Sequence, residues 1–162
     1  MRNANSAGNP LDLAIGVGQK RAATQLGMTV HSFDFRLPED VPAMLNAIAA
    51  SGIKAMFYQG DPIVRTRTAE LMAFLRDHRM ASIAVIPTFA EAGGLAHYSP
   101  AGSGFYERTA SFVDRILKGA KPADLPVEEP TSFEFVINLR TAKAIGLVIP
   151  QSALLRATAV IE

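Results

Sequence analysis

Between Leu11 and Ile86 the chain spells three helix-then-strand units in succession, joined by short connections, and this alternation restricts the fold more than any other feature. Leu11–Leu26 carries Leu11, Ala14, Ile15, Gly18, Ala22 and Leu26 on one helical face, with Gly27 placed to stop it. Met28–Phe35 follows as a half-exposed strand near an edge. Pro38-Glu39-Asp40 opens a second helix, with acids in the first turn where the helix dipole favours them, and Val41, Met44, Leu45 and Ile48 form its inward face. Ala55–Tyr58 fits a strand buried on both faces. A helix over Val64–Arg79 points Leu71, Met72 and Leu75 inward, and Ser82–Ile86 is the next strand. Such a sequence predicts an α/β fold: a three-layer, open, mainly parallel sheet with helices on both faces. The first helix has no strand before it, so the left margin reads as cut.

Beyond Thr88 the grammar changes. Ala92-Gly93-Gly94-Leu95 is a turn, Ala96–Ser99 a short extended piece, and Phe105–Lys118 a strong helix with Phe105, Phe112, Val113, Ile116 and Leu117 apolar. Three prolines keep Lys121–Pro130 extended. Ser132–Asn138 reads as a strand, Leu139–Ile145 as a helix stopped by Gly146, and a last short helix follows Pro150.

Composition removes several function classes. At 162 residues, 49% of them hydrophobic, the chain suits one domain with a real core. A formal charge of +1 with no basic run gives no electrostatic ground for a nucleic-acid partner. With no cysteine there is no disulfide, thiol nucleophile or thiolate metal ligand. His31, His78 and His97 lie in separate elements without metal-ligand spacing, and His31 and His97 read as polar-face residues. Gly16-Val17-Gly18 sits within a helical pattern, so it is no dinucleotide loop. Ser99, two residues from His97, shares a strand face with it but is not aimed at it, so no proton relay forms. No catalytic residue, cofactor or metal enters the reading. The N-terminal stretch lacks the apolar core of an export signal.

What remains is a set of strand ends. In open parallel sheets ligands gather where strands stop and the chain turns toward the next helix. Gln59, Asp61, Thr88 and Tyr98 are expected along one such edge. An amide, a carboxylate, a hydroxyl and an aromatic ring together suit an amine-bearing or hydroxylated small molecule. Asp61 has a second reading, as the N-cap of the following helix, and the two roles are compatible.

The run Ile116-Leu117-Lys118-Gly119-Ala120-Lys121-Pro122-Ala123-Asp124-Leu125-Pro126-Val127-Glu128, then Phe133–Leu147, resembles the substrate-binding proteins of a bacterial ABC importer family, the group that includes tryptophan-type binding proteins. Phe89-Ala90-Glu91-Ala92-Gly93-Gly94-Leu95 with Tyr98-Ser99 looks like the hinge segment of that family. The resemblance implies one lobe of a type I periplasmic-binding-protein fold, a C-terminal half whose partner lobe and first strand are missing. It implies a lobe core over 3–95, a hinge strand and crossover helix over 96–126, and a return strand with C-terminal helices over 127–162. It implies no enzyme activity, a small amino-acid-like ligand held between two lobes, an ABC permease as partner and an extracytoplasmic location. Ligand contacts then fall near Asn5, at Gln59 and Asp61, at Thr88 and at Tyr98, with Asp61 suited to a ligand ammonium. A ligand-sensing domain of a regulator is the alternative on the same fold. Without a first lobe, the apolar face of Phe105–Lys118 is expected to dock on a second copy, giving a homodimer.

Overall fold

Parallel strands cannot be joined by tight turns, so a chain that alternates helix and strand carries each helix across the sheet to reach the next strand. The computed structural model describes residues 2–3, 10–102 and 105–162, with side chains from Ile15 onward apart from Phe105. Its elements are β1 (Arg2–Asn3), α1 (Pro10–Gln25), β2 (Asp34–Phe35), α2 (Asp40–Ala50), β3 (Ala55–Tyr58), α3 (Pro62–Arg65), α4 (Thr68–Asp77) and β4 (Ala81–Ala84). After them come β5 (Ala96–Pro100), α5 (Phe105–Leu117), β6 (Phe133–Asn138), α6 (Leu139–Ile145), α7 (Gln151–Leu154) and β7 (Ala159–Ile161).

Five strands form one sheet in the order β3-β4-β5-β6-β7. Its neighbours run parallel except β5 and β6. β1 and β2 make a separate parallel pair, Arg2 beside Asp34 and Asn3 beside Phe35. The expected mixed α/β architecture, a mainly parallel sheet flanked by helices, is therefore present.

Register fixes which side chains share a face. Tyr58, Ala84, His97, Val136 and Ala159 stand on one rung, and Phe57, Ile83, Ala96, Ile137 and Val160 on the next. The face of the Tyr58 rung carries the main core. Val41, Met44, Leu45 and Ile48 of α2, Val64 of α3, and Leu71 and Leu75 of α4 bury with Phe35, Met56, Tyr58 and Ala84. Each such side chain contributes about 1.5–3 kcal/mol on burial. A smaller cluster joins Leu95 to Ala142 and Ile145 of α6.

Local chemistry sets the helix ends. Asp40 Oδ2 accepts from the amides of Arg36 and Leu37, both at 2.9 Å. Those two bonds, Arg36 first, hold its carboxyl below the usual range. At α6 the Asn138 side chain accepts from the Thr141 amide at 3.0 Å, and Gly146 closes the helix at φ 75°.

Four expectations need correction. β3 is not buried on both faces: Met56 and Tyr58 are buried against α2, α3 and α4, but Ala55 and Phe57, on the opposite face, are exposed. Of Met28–Phe35 only Asp34–Phe35 is strand, and Met28 and Val30 are exposed. The helix over Val64–Arg79 is two helices. Around the break, the Thr66 and Thr68 hydroxyls donate to the carbonyls of Ile63 and Arg65, local bonds that compete with the helical ladder. On α1 the inward residue is Ala23, while Gly18, Ala22 and Leu26 are exposed; the side chains of Leu11 and Ala14 lie outside the described residues. Two strands are additional: β1 (Arg2–Asn3), which pairs with β2 and stands before the first helix where no strand was expected, and β7. β7 forms beside β6, where the Thr158 amide donates to the Phe135 carbonyl at 2.7 Å and the Phe135 amide to the Thr158 hydroxyl at 2.9 Å.

Candidate functional site

The chain leaves β3 through a tight turn whose geometry is set by one side chain. The Tyr58 hydroxyl accepts from the Asp61 amide at 2.9 Å and donates to the Asp61 carbonyl at 3.0 Å. Burial of that phenol is the main cause pushing its pKa upward. Gly60 sits at φ 93°, and a Cβ there would lie 2.9 Å from Ile86 Cγ1, so the turn needs glycine on two grounds. Asp61 is extended, and its Oδ1 accepts from the Ile63 amide at 2.8 Å, with Pro62 in the first helical position. The cap is thus formed, and it holds the carboxylate at the mouth of the turn.

Register relates this turn to β5. The Val85 amide donates to the Tyr58 carbonyl at 3.2 Å, so β3 and β4 stay in step at their ends. Gln59, Val85 and Tyr98 each stand one residue beyond the rung of Tyr58, Ala84 and His97. Within β5 successive side chains alternate faces, so Tyr98 points to the side opposite the buried His97. Two strand spacings, about 10 Å, separate the rungs' ends at β3 and β5. Tyr98 is 47% exposed and stacks on Phe133 at 5.4 Å with 2° between planes, while Phe135 meets its edge at 6.2 Å. A flat, half-exposed aromatic pair results.

Thr88 lies in the turn after β4, exposed and at φ 76°. A β-branched residue there stores about 1–3 kcal/mol of strain. The following loop is stapled from the end of β6 and the first turn of α6. Asn138 Nδ2 donates to the Ala90 carbonyl at 2.7 Å and the Thr141 hydroxyl to the Gly93 carbonyl at 3.0 Å. Gln59 thus follows the last residue of β3 and Tyr98 lies within β5 one residue past His97, rather than at a strand end, with Asp61 and Thr88 on the turns after neighbouring parallel strands. They do not share a closed cavity: a groove of about 700 Å³ reaches Gln59, Gly60 and Asp61 but neither Thr88 nor Tyr98. Asn5 lies outside the described residues.

Tyr58, Phe133 and Asn138 shape this edge and were not expected to. Tyr58 reads from sequence as core, Phe133 as one of an alternating series, and the Asn138–Ala90 bond spans 48 residues, beyond any local pattern. His97 also differs from expectation. It is 2% exposed rather than on a polar face, its ring nitrogens and the Ser99 hydroxyl lack hydrogen-bond partners, and Glu91 Oε2 stands 3.6 Å from its Nδ1. Among the described residues no three His, Asp or Glu side chains gather as a metal would require.

In a mainly parallel α/β sheet of this kind, small ligands gather at the edge where the strands end. The chain belongs to the ABC transporter substrate binding protein family, whose model matches residues 18–161. Among solved structures, a conserved domain protein from Vibrio cholerae O1 biovar El Tor is similar at TM-score 0.82 and 22% identity, over 92% of this chain and 50% of that one. An ABC domain from Streptococcus pneumoniae, in complex with L-Trp, is similar at TM-score 0.81 and 26% identity, over 91% and 50%. A substrate-binding protein with adhesive properties from Clostridium difficile, in ligand-free open form, is similar at TM-score 0.68 and 18% identity, over 100% and 52%. The first and third likenesses are of fold. The chain spans about half the length of these structures. A search of curated protein sequences found no match.

Proposed function

We propose that this chain is one lobe of an importer's solute-binding protein, and that it contributes half of a site for a small amine-bearing molecule of amino-acid type. Asp61 supplies the carboxylate for the ligand ammonium, Gln59 and Thr88 hydrogen-bond its polar groups, and Tyr98 on Phe133 offers a flat apolar floor. Asn5 belongs to the same rim. The observation that supports the reading is that Gln59 and Tyr98 each follow directly on the rung of Tyr58, Ala84 and His97 in a chain of this family. Transport through an ABC permease, an extracytoplasmic location and the absence of catalysis follow from the same family role. Among the described residues no helix is long and apolar enough to cross a membrane.

One lobe encloses a ligand on one side only, so binding by this chain alone is weak. Calorimetry with L-tryptophan, L-leucine and indole-3-propionate tests the assignment. The two amino acids are expected to bind and the amine-free acid not to. Equal binding of all three would remove the role given to Asp61.

A second copy completes the apolar face of α5. Tyr106 and Leu117 are 79% and 81% exposed, Val113 and Ile116 are exposed beside them, and Phe112 is half-buried. Two such faces, related by a twofold axis, cover each other.

A further inference from the structure

His97 is an ionisable group held inside the sheet's packed face with its polar atoms unsatisfied. It is 2% exposed, and both ring nitrogens lack hydrogen-bond partners, as does the buried Ser99 hydroxyl two residues along β5. A neutral imidazole carries one N–H donor and one acceptor, so burying both unpaired is costly. Glu91 Oε2 stands 3.6 Å from Nδ1, just beyond hydrogen-bond range. Glu91 itself is 52% exposed, so its side chain is free to swing.

The charged surroundings of the ring are simple. By register, Ala84 of β4 and Val136 of β6 flank it, and both are neutral. One rung on, Ser99 faces Glu134 of β6, half-buried on the same side of the sheet. Tyr58, two strands away on the ring's own rung, keeps its hydroxyl on Asp61. Glu70 and Asp77 of α4 pair with Arg67 and Arg76, and Arg140 and Lys143 of α6 are exposed. Glu91 from the loop and Glu134 from β6 are therefore the carboxylates that share the ring's face.

Glu91 also occupies a sensitive place in its loop. It lies between the two carbonyls tethered by Asn138 and Thr141, those of Ala90 and Gly93. Its neighbour Ala92 donates its amide to the Thr88 carbonyl at 2.9 Å. Thr88 stands at φ 76°, a strained conformation that the contacts after it must hold. A third tether at Glu91 would therefore act on Thr88 through a single backbone hydrogen bond.

We infer that His97 and Glu91 form a proton-operated tether for the loop after β4. An imidazolium donates from both nitrogens, and its bond to a carboxylate is charge-assisted and short. Proton uptake by His97 draws Glu91 in and fixes Thr88; proton loss releases both. Because the closed loop holds the proton better than the open one, closure is favoured as pH falls and lost as pH rises.

The test is an NMR titration of the isotopically labelled chain from about pH 5 to about pH 8, the span in which histidines change charge. The His97 ring nitrogens and the amides of Thr88 to Gly93 should shift with one shared midpoint. Protection of the Ala92 amide, corrected for the intrinsic pH dependence of exchange, should rise about fivefold or more toward low pH. Glu91→Gln, at a half-exposed position, should abolish the loop response while the ring still titrates. A ring that keeps one charge state throughout, or loop amides that ignore it, would overturn the inference. So would a response that survives Glu91→Gln and is lost in Glu134→Gln. The effect on ligand rests on the solute-site reading: L-tryptophan should bind about fivefold more tightly at the low end, and equally at both ends in Glu91→Gln. Equal binding by the unmodified chain at both ends would overturn the link to the site. No tryptophan binding at either end, with the loop amides still following the ring, would count against the solute site and uphold the tether.

Discussion

The Tyr58 hydroxyl holds Asp61 at both backbone ends, accepting from its amide at 2.9 Å and donating to its carbonyl at 3.0 Å. A core residue thereby fixes the position of a carboxylate at the strand end. Tyr58→Phe deletes this clasp and leaves two part-buried backbone groups without their partner. Urea unfolding should show a loss of about 1–3 kcal/mol, and exchange of the Asp61 amide should accelerate. An unchanged amide would mean the turn is held by other contacts.

Asp61 caps α3, and the proposal gives it a second role at the ligand that substitution can separate from the first. Asn caps a helix about as well as Asp, whereas Ala does not. Asp61→Asn should keep stability within a few tenths of a kcal/mol and weaken amino-acid binding. Asp61→Ala should weaken binding as well and cost about 1 kcal/mol, a fall of roughly 2–4 °C in Tm for a domain of this size. Calorimetry and thermal melting on the two variants read both roles independently.

Burial of α5 against a second copy is checked by sedimentation. The unmodified chain should sediment as a dimer, and Leu117→Lys, which puts a charge into the proposed contact, as a monomer with unaltered helical circular dichroism. A monomer from the start would leave the α5 face to another partner.

Two groups give the stability profile its ends. Asp40 is held below its ordinary 3.8 by the Arg36 and Leu37 amides, so its contribution is present above that value and lost as pH falls toward the folded pKa. Tyr58 is raised above its ordinary 10.0 by burial, so the unfolded chain ionises first. Stability is therefore intact below about pH 10 and falls as pH rises beyond it, a fall that Tyr58→Phe should abolish. Urea midpoints across pH for both chains provide the check.

Where local signals and tertiary packing agree, the sequence is readable. The face of α2 (Val41, Met44, Leu45 and Ile48) follows helical spacing and is wholly buried. Gly146 stops α6 where expected. Asp61 stands at the strand end and caps α3. Readability fails where a neighbour decides. Ala55–Tyr58 has the apolar run of a central strand, yet only the face of Met56 and Tyr58 is packed, so Phe57 on the other face is exposed. β7 is three residues long and owes its form to β6. The stacking of Tyr98 on Phe133 depends on the β5–β6 register, which no spacing within either strand encodes.

The central claim is that an amine-bearing solute sits on the strand ends around Asp61. Titration of isotopically labelled chain with L-tryptophan, followed by amide chemical shifts, tests it most directly. Shifts concentrated at Gln59–Asp61, Thr88 and Tyr98, and much reduced in Asp61→Asn, are the predicted result. Shifts confined to the opposite face of the sheet, or identical in Asp61→Asn, would contradict it.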